Sequence, residues 1–403
     1  MVMTNQNSPP LPSRYITRFR EYIVQSVAHI LVNVHAIDSL LPEDVRVQAL
    51  HTLSYALSLP EAWPTTRELL LCMAPKMEQA GFRGEWIAYL VAGAKLSQAL
   101  NDINAEAELN YHIGFLYQLL ANYSEARNSL GLSSKQFAYL VDRRNQAKAL
   151  NREAYVARLQ RLYTEANTLV DQALALLADD EPQREFSFYV KGMIAIDNSE
   201  PECADHWFKE SLTLVEKQGN RRLVALRTGN LGLAYRMQAR YAEAKVCYEQ
   251  SIDLFAQVQD FVQQAMMYMN LGNVYLLCNE PSEALQLYNL AEPSIHLVRD
   301  ELHLAMLDLN RGIALRCLRQ WQKAEQLLQH SILRWQQLGN IYWLINTMDD
   351  LGLVYFEQDD MVKAIDTFRN ALIKLETIAI EPGYTGLYKS LSAHIHEARK
   401  KSS

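Results

Sequence analysis

The stretch NLGLAY at residues 230–235 returns as NLGNVY at 270–275 and as DLGLVY at 350–355. Its glycine belongs to a longer series with a constant spacing of 40 residues: Gly192, Gly232, Gly272, Gly312 and Gly352. A fixed period of this length is typical of proteins built from stacked structural repeats. The sequence therefore predicts a repeat architecture.

Further positions follow each glycine at fixed distances. A small residue stands 12 residues after it, a large apolar residue 16 after it and a small residue 19 after it. Gaps of three and four residues place these side chains on one face of a helix. Each repeat is therefore predicted to be a helical hairpin whose small residues let its two helices approach closely. The three sets are Ala204, Ala244, Ala284, Ala324 and Ala364; Phe208, Tyr248, Tyr288, Leu328 and Phe368; and Ser211, Ser251, Ala291, Ser331 and Ala371.

Turn residues punctuate this pattern. Pro201 and Pro281 stand nine residues after the glycine, and proline suits the first turn of a second helix. Polar turns close the hairpins at Asp142, Asp260 and Asp300, and also at 219–220 and 339–340, where Gly-Asn pairs fit helix C-caps.

The pattern predicts an all-α solenoid of seven clear hairpins and one degenerate hairpin, with helical caps. In the degenerate unit Ala74 takes the glycine position, and Trp86 stands where other second helices have alanine. We expect a disordered N-terminus at 1–13, an N-terminal cap at 14–65 with helices near 14–40 and 43–59, the solenoid at 66–380, and a C-terminal capping helix and tail at 381–403. The units lie near 66–105, 106–145, 146–183, 184–223, 224–263, 264–303, 304–343 and 344–380.

Bulk properties narrow the possible functions. The chain of 403 residues is 49% hydrophobic and 21% charged, with a net charge of −7, so it is expected to fold and is poorly suited to nucleic acid. The five cysteines show neither metal-ligand nor redox-motif spacing, which favours reduced thiols in a cytoplasmic protein. Residues 1–13 lack the apolar core of a signal peptide, and no apolar run is long enough to span a membrane.

The Leu-Gly-x-x-Tyr of the first helix and the Ala-x-x-x-aromatic-x-x-Ala of the second resemble tetratricopeptide repeats over residues 66–380. The period of 40 residues exceeds the common one of about 34. Such long repeats resemble the arms of kinesin light chains, Leu-Gly-Asn-repeat adaptors, Rap-type regulators, MalT-like activators and bacterial STAND signalling ATPases. The sequences at 15–22 and 67–71 are similar to the segment before the repeats in those ATPases. The Gly-x-x-x-x-Gly-Lys-Ser/Thr loop of their nucleotide module is absent from this sequence.

This resemblance implies a right-handed superhelix whose first helices line a concave groove and carry the ligand contacts. Two residues before the glycine stand Asn230, Asn270, Asn310 and Asp350, which could form a ladder along that groove. An asparagine amide can donate to one backbone group of an extended peptide and accept from another. In the alternative interpretation, these amides bond neighbouring helices inside the fold.

Other residues are expected near the ladder. Arg158, Arg236 and Arg316 stand four residues after the glycine position, and arginines facing a groove favour an acidic partner segment. The alternative is that they are solvated or pair with local carboxylates. Asn273, Met266 and Met269 complete the candidate binding residues, and methionine suits an adaptable surface as well as a core.

Chemistry is poorly supported by the sequence. No His-Glu-x-x-His or Gly-x-Ser-x-Gly motif occurs, so no catalytic residue, metal site or cofactor is predicted. Asp349 and Asp350 are interpreted as a solvated face or as helix caps, because adjacent residues do not converge on a helix.

Two functions remain open. The first is a non-enzymatic scaffold or regulatory adaptor that holds a peptide or protein segment in the groove. The second is a sensor whose coil changes shape on binding a signalling peptide or a small molecule and thereby controls an effector.

Overall fold

Helices make up the regular structure of this protein. The computed structural model describes residues 13–37, 41–80, 83–297, 300–377 and 385–402, and within these ranges it contains 19 α-helices, one short 3₁₀ turn and no strand. The all-α solenoid fold is thereby confirmed. The chain divides into two compact units, Met1–Asn198 and Ser199–Ser403.

The first unit begins with helices that lie outside the regular hairpins. They are α1 (Ser13–His35), α2 (Glu43–Ala56), a 3₁₀ turn at Pro60–Ala62, α3 (Trp63–Ala80) and α4 (Arg83–Ala99). Helix α1 ends before the expected limit near residue 40, and residues 38–40 lie outside the described part. Trp86 is fully buried together with Leu69, Leu70 and Met73, so this bulky side chain fills the core of the N-terminal helices.

Regular hairpins follow. The first unit contains two of them, α5 (Ile103–Leu119) with α6 (Tyr123–Tyr139) and α7 (Arg143–Leu159) with α8 (Tyr163–Leu176). The helix α9 (Arg184–Asp197) ends this unit. The second unit contains α10 (Pro201–Gln218), α11 (Arg221–Met237), α12 (Tyr241–Gln257), α13 (Phe261–Leu277), α14 (Pro281–Leu297), α15 (Glu301–Cys317), α16 (Trp321–Gln337), α17 (Ile341–Glu357), α18 (Met361–Glu376) and α19 (Thr385–Ser402).

Within the described ranges, most connections between these helices are tight turns with one residue in the left-handed conformation. Inside the hairpins this residue is not glycine, as at Ala239 with φ 57° and Asn279 with φ 62°. Gly219 and Gly339 take the same conformation between hairpins, as predicted for C-caps. The predicted role of Asn220 and Asn340 was wrong, because each caps the N-terminus of the following helix by accepting a bond from a backbone N–H.

The repeated glycine lets the two helices of a hairpin approach. A Cβ atom on Gly272 would lie 2.5 Å from a ring carbon of Tyr288, and one on Gly312 would lie 2.7 Å from the Leu328 side chain. Both large side chains are fully buried. At these two glycines a larger residue therefore requires the facing side chain to shift or the hairpin to open.

We predict that Gly272→Ala destabilises the protein. The Tyr288 ring cannot move aside easily, because its hydroxyl donates a 2.7 Å hydrogen bond to Asn273. Overpacking of this kind costs about 1–3 kcal/mol, which exceeds the gain of about 1 kcal/mol from replacing a helical glycine by alanine. Urea unfolding followed by circular dichroism measures the loss. Gly386→Ala in α19 is the control, because nothing lies within 4 Å of its added Cβ; equal midpoints for the two variants would contradict the packing argument.

Candidate functional site

The first helices of the hairpins form the inner side of the second unit. Among the described residues, α11, α13, α15 and α17 approach one another more closely than α12, α14, α16 and α18 do. A stack of hairpins whose first helices are closer together curves toward those helices. The first helices therefore lie on the inner wall of this unit.

A half-buried stripe runs along each of these four helices. Three of its members are half-buried and stand six residues before, two residues before and one residue after the repeated glycine. The fourth member stands five residues after the glycine and is exposed. Gaps of four, three and four residues keep the stripe on one helix face. We call these residues the inner face: Leu226, Asn230, Leu233 and Met237; Met266, Asn270, Asn273 and Leu277; Met306, Asn310, Ile313 and Cys317; Asn346, Asp350, Leu353 and Glu357.

The three ladder asparagines of the inner face have free amides. Asn230, Asn270 and Asn310 are half-buried, and their side chains make no hydrogen bond to any other described residue. Amides that tie helices together look different in this protein: Asn151 is 1% exposed and exchanges two hydrogen bonds with Ser187. The three ladder amides therefore do not tie helices together among the described residues.

Asp350 continues the ladder as a carboxyl group. Its side chain is 22% exposed and lies 3.8 Å from Arg316. Burial raises the pKa of Asp350 to about 7, although Arg316 opposes the shift and Asp349 adds to it. Burial thus favours the protonated form of Asp350, and a protonated carboxyl offers one donor and one acceptor, as an amide does.

Asn273 and the methionines take different positions. Asn273 lies on the inner face, where its side-chain oxygen accepts the Tyr288 hydroxyl and leaves the NH₂ group available. Met266 is half-buried on the same face. Met269 is 4% exposed in the core with Tyr288, so its predicted place on the binding surface is corrected.

The three arginines are not equivalent. Arg158 donates to Asp197 of the next first helix at 2.5 Å, and Arg316 pairs with Glu357 and Asp350. Both guanidinium groups are thus occupied by local carboxylates, which contradicts the expectation that they await an acidic partner. Arg236 has no ion-pair partner among the described residues, because α13 has Asn270 and Leu277 where α17 has Asp350 and Glu357.

An aromatic cluster in the first unit was missed by the sequence reasoning. The Arg152 guanidinium lies 4.5 Å from the ring centroid of Phe115 and 4.7 Å from that of Phe186. Tyr155 stacks on Tyr189 with 6.0 Å between the ring centroids. The signal was the aromatic residue directly after the glycine position, at Phe115 and Tyr155, where later repeats carry methionine, leucine, asparagine or isoleucine.

Asp349 also differs from its interpretation as a solvated residue. It accepts bonds from His394 at 2.7 Å and Ser390 at 3.1 Å, and it thereby ties α19 to α17. Across the described ranges there is no group of three or more His, Cys, Asp or Glu residues placed to hold a metal ion. In the same ranges, no helix combines the length and the apolar character needed to cross a bilayer.

Family comparisons agree with this architecture. Models of the tetratricopeptide repeat match residues 224–258 and 303–372. A search of the curated proteins finds no relative of significant similarity.

Solved structures share the fold at low sequence identity. A STAND protein with a tetratricopeptide repeat sensor from Pyrococcus horikoshii is 10% identical with a TM-score of 0.62, covering 98% of this chain and 66% of its own length. Aspartyl phosphate phosphatase F from Bacillus subtilis is 13% identical with a TM-score of 0.58, and coverage is 91% of this chain and 96% of that one. A Rap protein complexed with competence and sporulation factor is 14% identical with a TM-score of 0.54, and coverage is 95% and 98%.

These identities establish the shared fold and nothing about chemistry. The matched repeat models, the hairpins and the glycine-centred packing converge on one conclusion: the chain contains tetratricopeptide repeats.

Proposed function

We propose that this protein is a non-enzymatic scaffold or regulatory adaptor that binds an extended peptide or protein segment along the inner face of its second unit. One observation carries the proposal: three asparagine amides at equivalent positions of successive helices are half-buried and have no partner in the described structure. None of these amide atoms is fully buried, so each is open to hydrogen bonding from the inner side, and an extended segment that reaches the row can bond to each amide in turn.

The ladder suits an extended chain. Packed helices lie roughly 10 Å apart, and an extended chain advances about 3.3 Å per residue, so every third residue of a bound segment could meet one rung. Each amide can donate to a carbonyl and accept from an N–H of that segment. The apolar neighbours Leu233, Ile313 and Leu353 would bury its side chains.

The bound segment is proposed to carry a carboxylate near Asn270, the second residue of the ladder. Arg236 is half-buried and lacks an ion-pair partner among the described residues, whereas Arg158 and Arg316 have theirs. A carboxylate on the partner would take the place that Asp350 and Glu357 occupy beside Arg316. Charge-assisted hydrogen bonds of this kind are about twice as strong as neutral ones.

Asn270→Ala combined with Asn310→Ala is expected to weaken binding about 10- to 100-fold, since each lost hydrogen bond contributes about 1 kcal/mol. Thermal stability should stay near that of the wild type, because neither amide ties helices together. The partner is recovered by pull-down from the source cell with mass spectrometry, and its bound segment is then titrated by calorimetry. Asn289→Ala with Asn370→Ala, two exposed residues on second helices, is the matched control. Parallel loss of stability and binding would point to a structural ladder instead.

Arg236→Gln is expected to weaken binding of the recovered segment about tenfold and to flatten its dependence on salt concentration, because one screened charge pair is lost. Arg158→Gln should behave differently. It leaves Asp197 without its partner and therefore lowers the melting temperature, while the affinity of the folded protein is retained. An unaltered salt dependence in Arg236→Gln would exclude the carboxylate at this rung.

A second candidate is a sensor that changes shape on binding. Two structures of this fold favour it, since one is a Rap protein complexed with competence and sporulation factor and another is described as carrying a repeat sensor. Repeats contact only their neighbours, so small rotations between them can add up along the array.

The sensor predicts that saturating ligand changes the radius of gyration measured by small-angle X-ray scattering. The scaffold predicts the same scattering profile with and without its bound segment. A tight ligand that leaves the profile unaltered would therefore rule out the sensor and retain the scaffold.

A further inference from the structure

Helix α1 carries two apolar stripes and buries only one of them. The buried stripe, with Ile23, Val27, Ile30 and Val34, packs into the N-terminal core. The second stripe is exposed: Tyr15 is 60% exposed, Phe19 51% and Tyr22 66%. Ser26 and His29 continue it with alternating gaps of four and three residues. This spacing is that of a seam that packs against another helix.

The exposed stripe borders a groove between α1 and α2. The Phe19 and Tyr55 rings meet edge to face at 5.9 Å, and His51 lies 5.2 Å from Tyr55. Because the first half of α1 lies level with the last turn of α2, the two helices run antiparallel. We call this surface the N-terminal groove; Phe19, Tyr22, His29, Gln48, His51 and Tyr55 line it.

Opposite charges stand at the two ends of the N-terminal groove. Arg14 and Arg18 lie on the exposed start of α1, and Glu43 and Asp44 lie on the exposed first turn of α2 at the other end. Arg14, Arg18 and Asp44 have no ion-pair partner among the described residues, and Glu43 has only Arg46 at 4.0 Å. The surface is therefore basic at one end, apolar and aromatic in the middle, and acidic at the other end.

We propose that the N-terminal groove is the interface of a homodimer, in which α1 of a second copy packs against it in antiparallel orientation. A two-fold axis near Tyr22 brings Arg14 and Arg18 of each copy against Glu43 and Asp44 of the other. The same surface of each copy then contacts its counterpart, and both charged ends are paired, as a two-fold interface requires. The aromatic stripes of both copies are buried between the charged ends, and α1 and α2 of the two copies form a four-helix arrangement.

A second copy fits this surface better than an unrelated partner of uniform charge. A partner of a single sign would match one end of the groove and oppose the other, which costs affinity. The symmetric arrangement pairs both ends with the charges that this chain already provides. Elsewhere exposed apolar side chains such as Val246 and Val362 stand on the outer surface of second helices with charged neighbours at Lys245 and Lys363.

The test is the mass of the full chain in solution. Sedimentation velocity and light scattering should give twice the chain mass of 46.2 kDa. Protein concentrations of roughly 1–100 μM suit this measurement, because they resolve dissociation constants in the μM range. Tyr22→Glu, which places two like charges at the axis, should give the monomer mass with an unaltered circular dichroism spectrum. Arg14→Glu with Arg18→Glu should also give monomers. Adding Glu43→Arg and Asp44→Arg to that variant should restore the dimer.

Matched controls separate the interface from general effects. Val362→Glu introduces the same charge at a 72% exposed site of the second unit and should leave the dimer intact. A wild-type chain that stays monomeric at 100 μM overturns the proposal, as does a dimer that survives Tyr22→Glu. Failure of the charge-reversed variant to re-form a dimer while it remains folded overturns the antiparallel arrangement.

Discussion

Close approach of a glycine on the first helix to a large side chain on the second is the constraint on which the hairpins depend. Gly114 meets Leu130 in the first unit, and Gly272 meets Tyr288 in the second. A second tie lies at the same interface, where Ser251 donates to the carbonyl oxygen of Ala225 at 2.7 Å and Ser331 to that of Ala305 at 2.8 Å. Because the distance between the helices is fixed in this way, each hairpin offers the same surface to the next.

That constraint uses one face of each first helix and leaves the opposite face free to vary. On the inner face the same rung is an asparagine in three helices and Asp350 in the fourth, while the neighbouring arginine is neutralised beside α17 and unpaired beside α13. The first unit instead places Arg152 between two aromatic rings. A regular framework thus holds different chemistries at equivalent positions, which is how a repeat protein acquires a specific partner.

The helices at the two ends of the chain treat their exposed surfaces differently. Helix α19 buries Leu387, Leu391 and Ile395 and turns polar residues such as Lys389 and His396 outward, so it ends its unit with a surface that water solvates well. Helix α1 leaves the aromatic side chains of Tyr15, Phe19 and Tyr22 exposed in addition to the aliphatic side chains that it buries. Exposed patches of this kind on soluble proteins mark surfaces that contact another molecule.

The sequence by itself determined the repeat, the hairpins and their turns. These features follow from local rules: spacing of apolar residues sets helix faces, glycine permits close packing, and Pro201 and Pro281 begin the helices that follow the hairpin turns. The candidate ladder residues were also found from the sequence, since a fixed period carries a position from one repeat to the next.

Tertiary structure decided which of those positions are available for binding. Arg158 and Arg236 occupy the same place in the repeat, yet only the residue presented by the adjacent helix shows that one is paired and the other is not. The same holds for Met269, which the core covers, and for Asp349, which α19 covers. The physical reason is that periodicity fixes the direction in which a side chain points, whereas its charge and hydrogen-bonding state depend on what a neighbour distant in sequence places beside it.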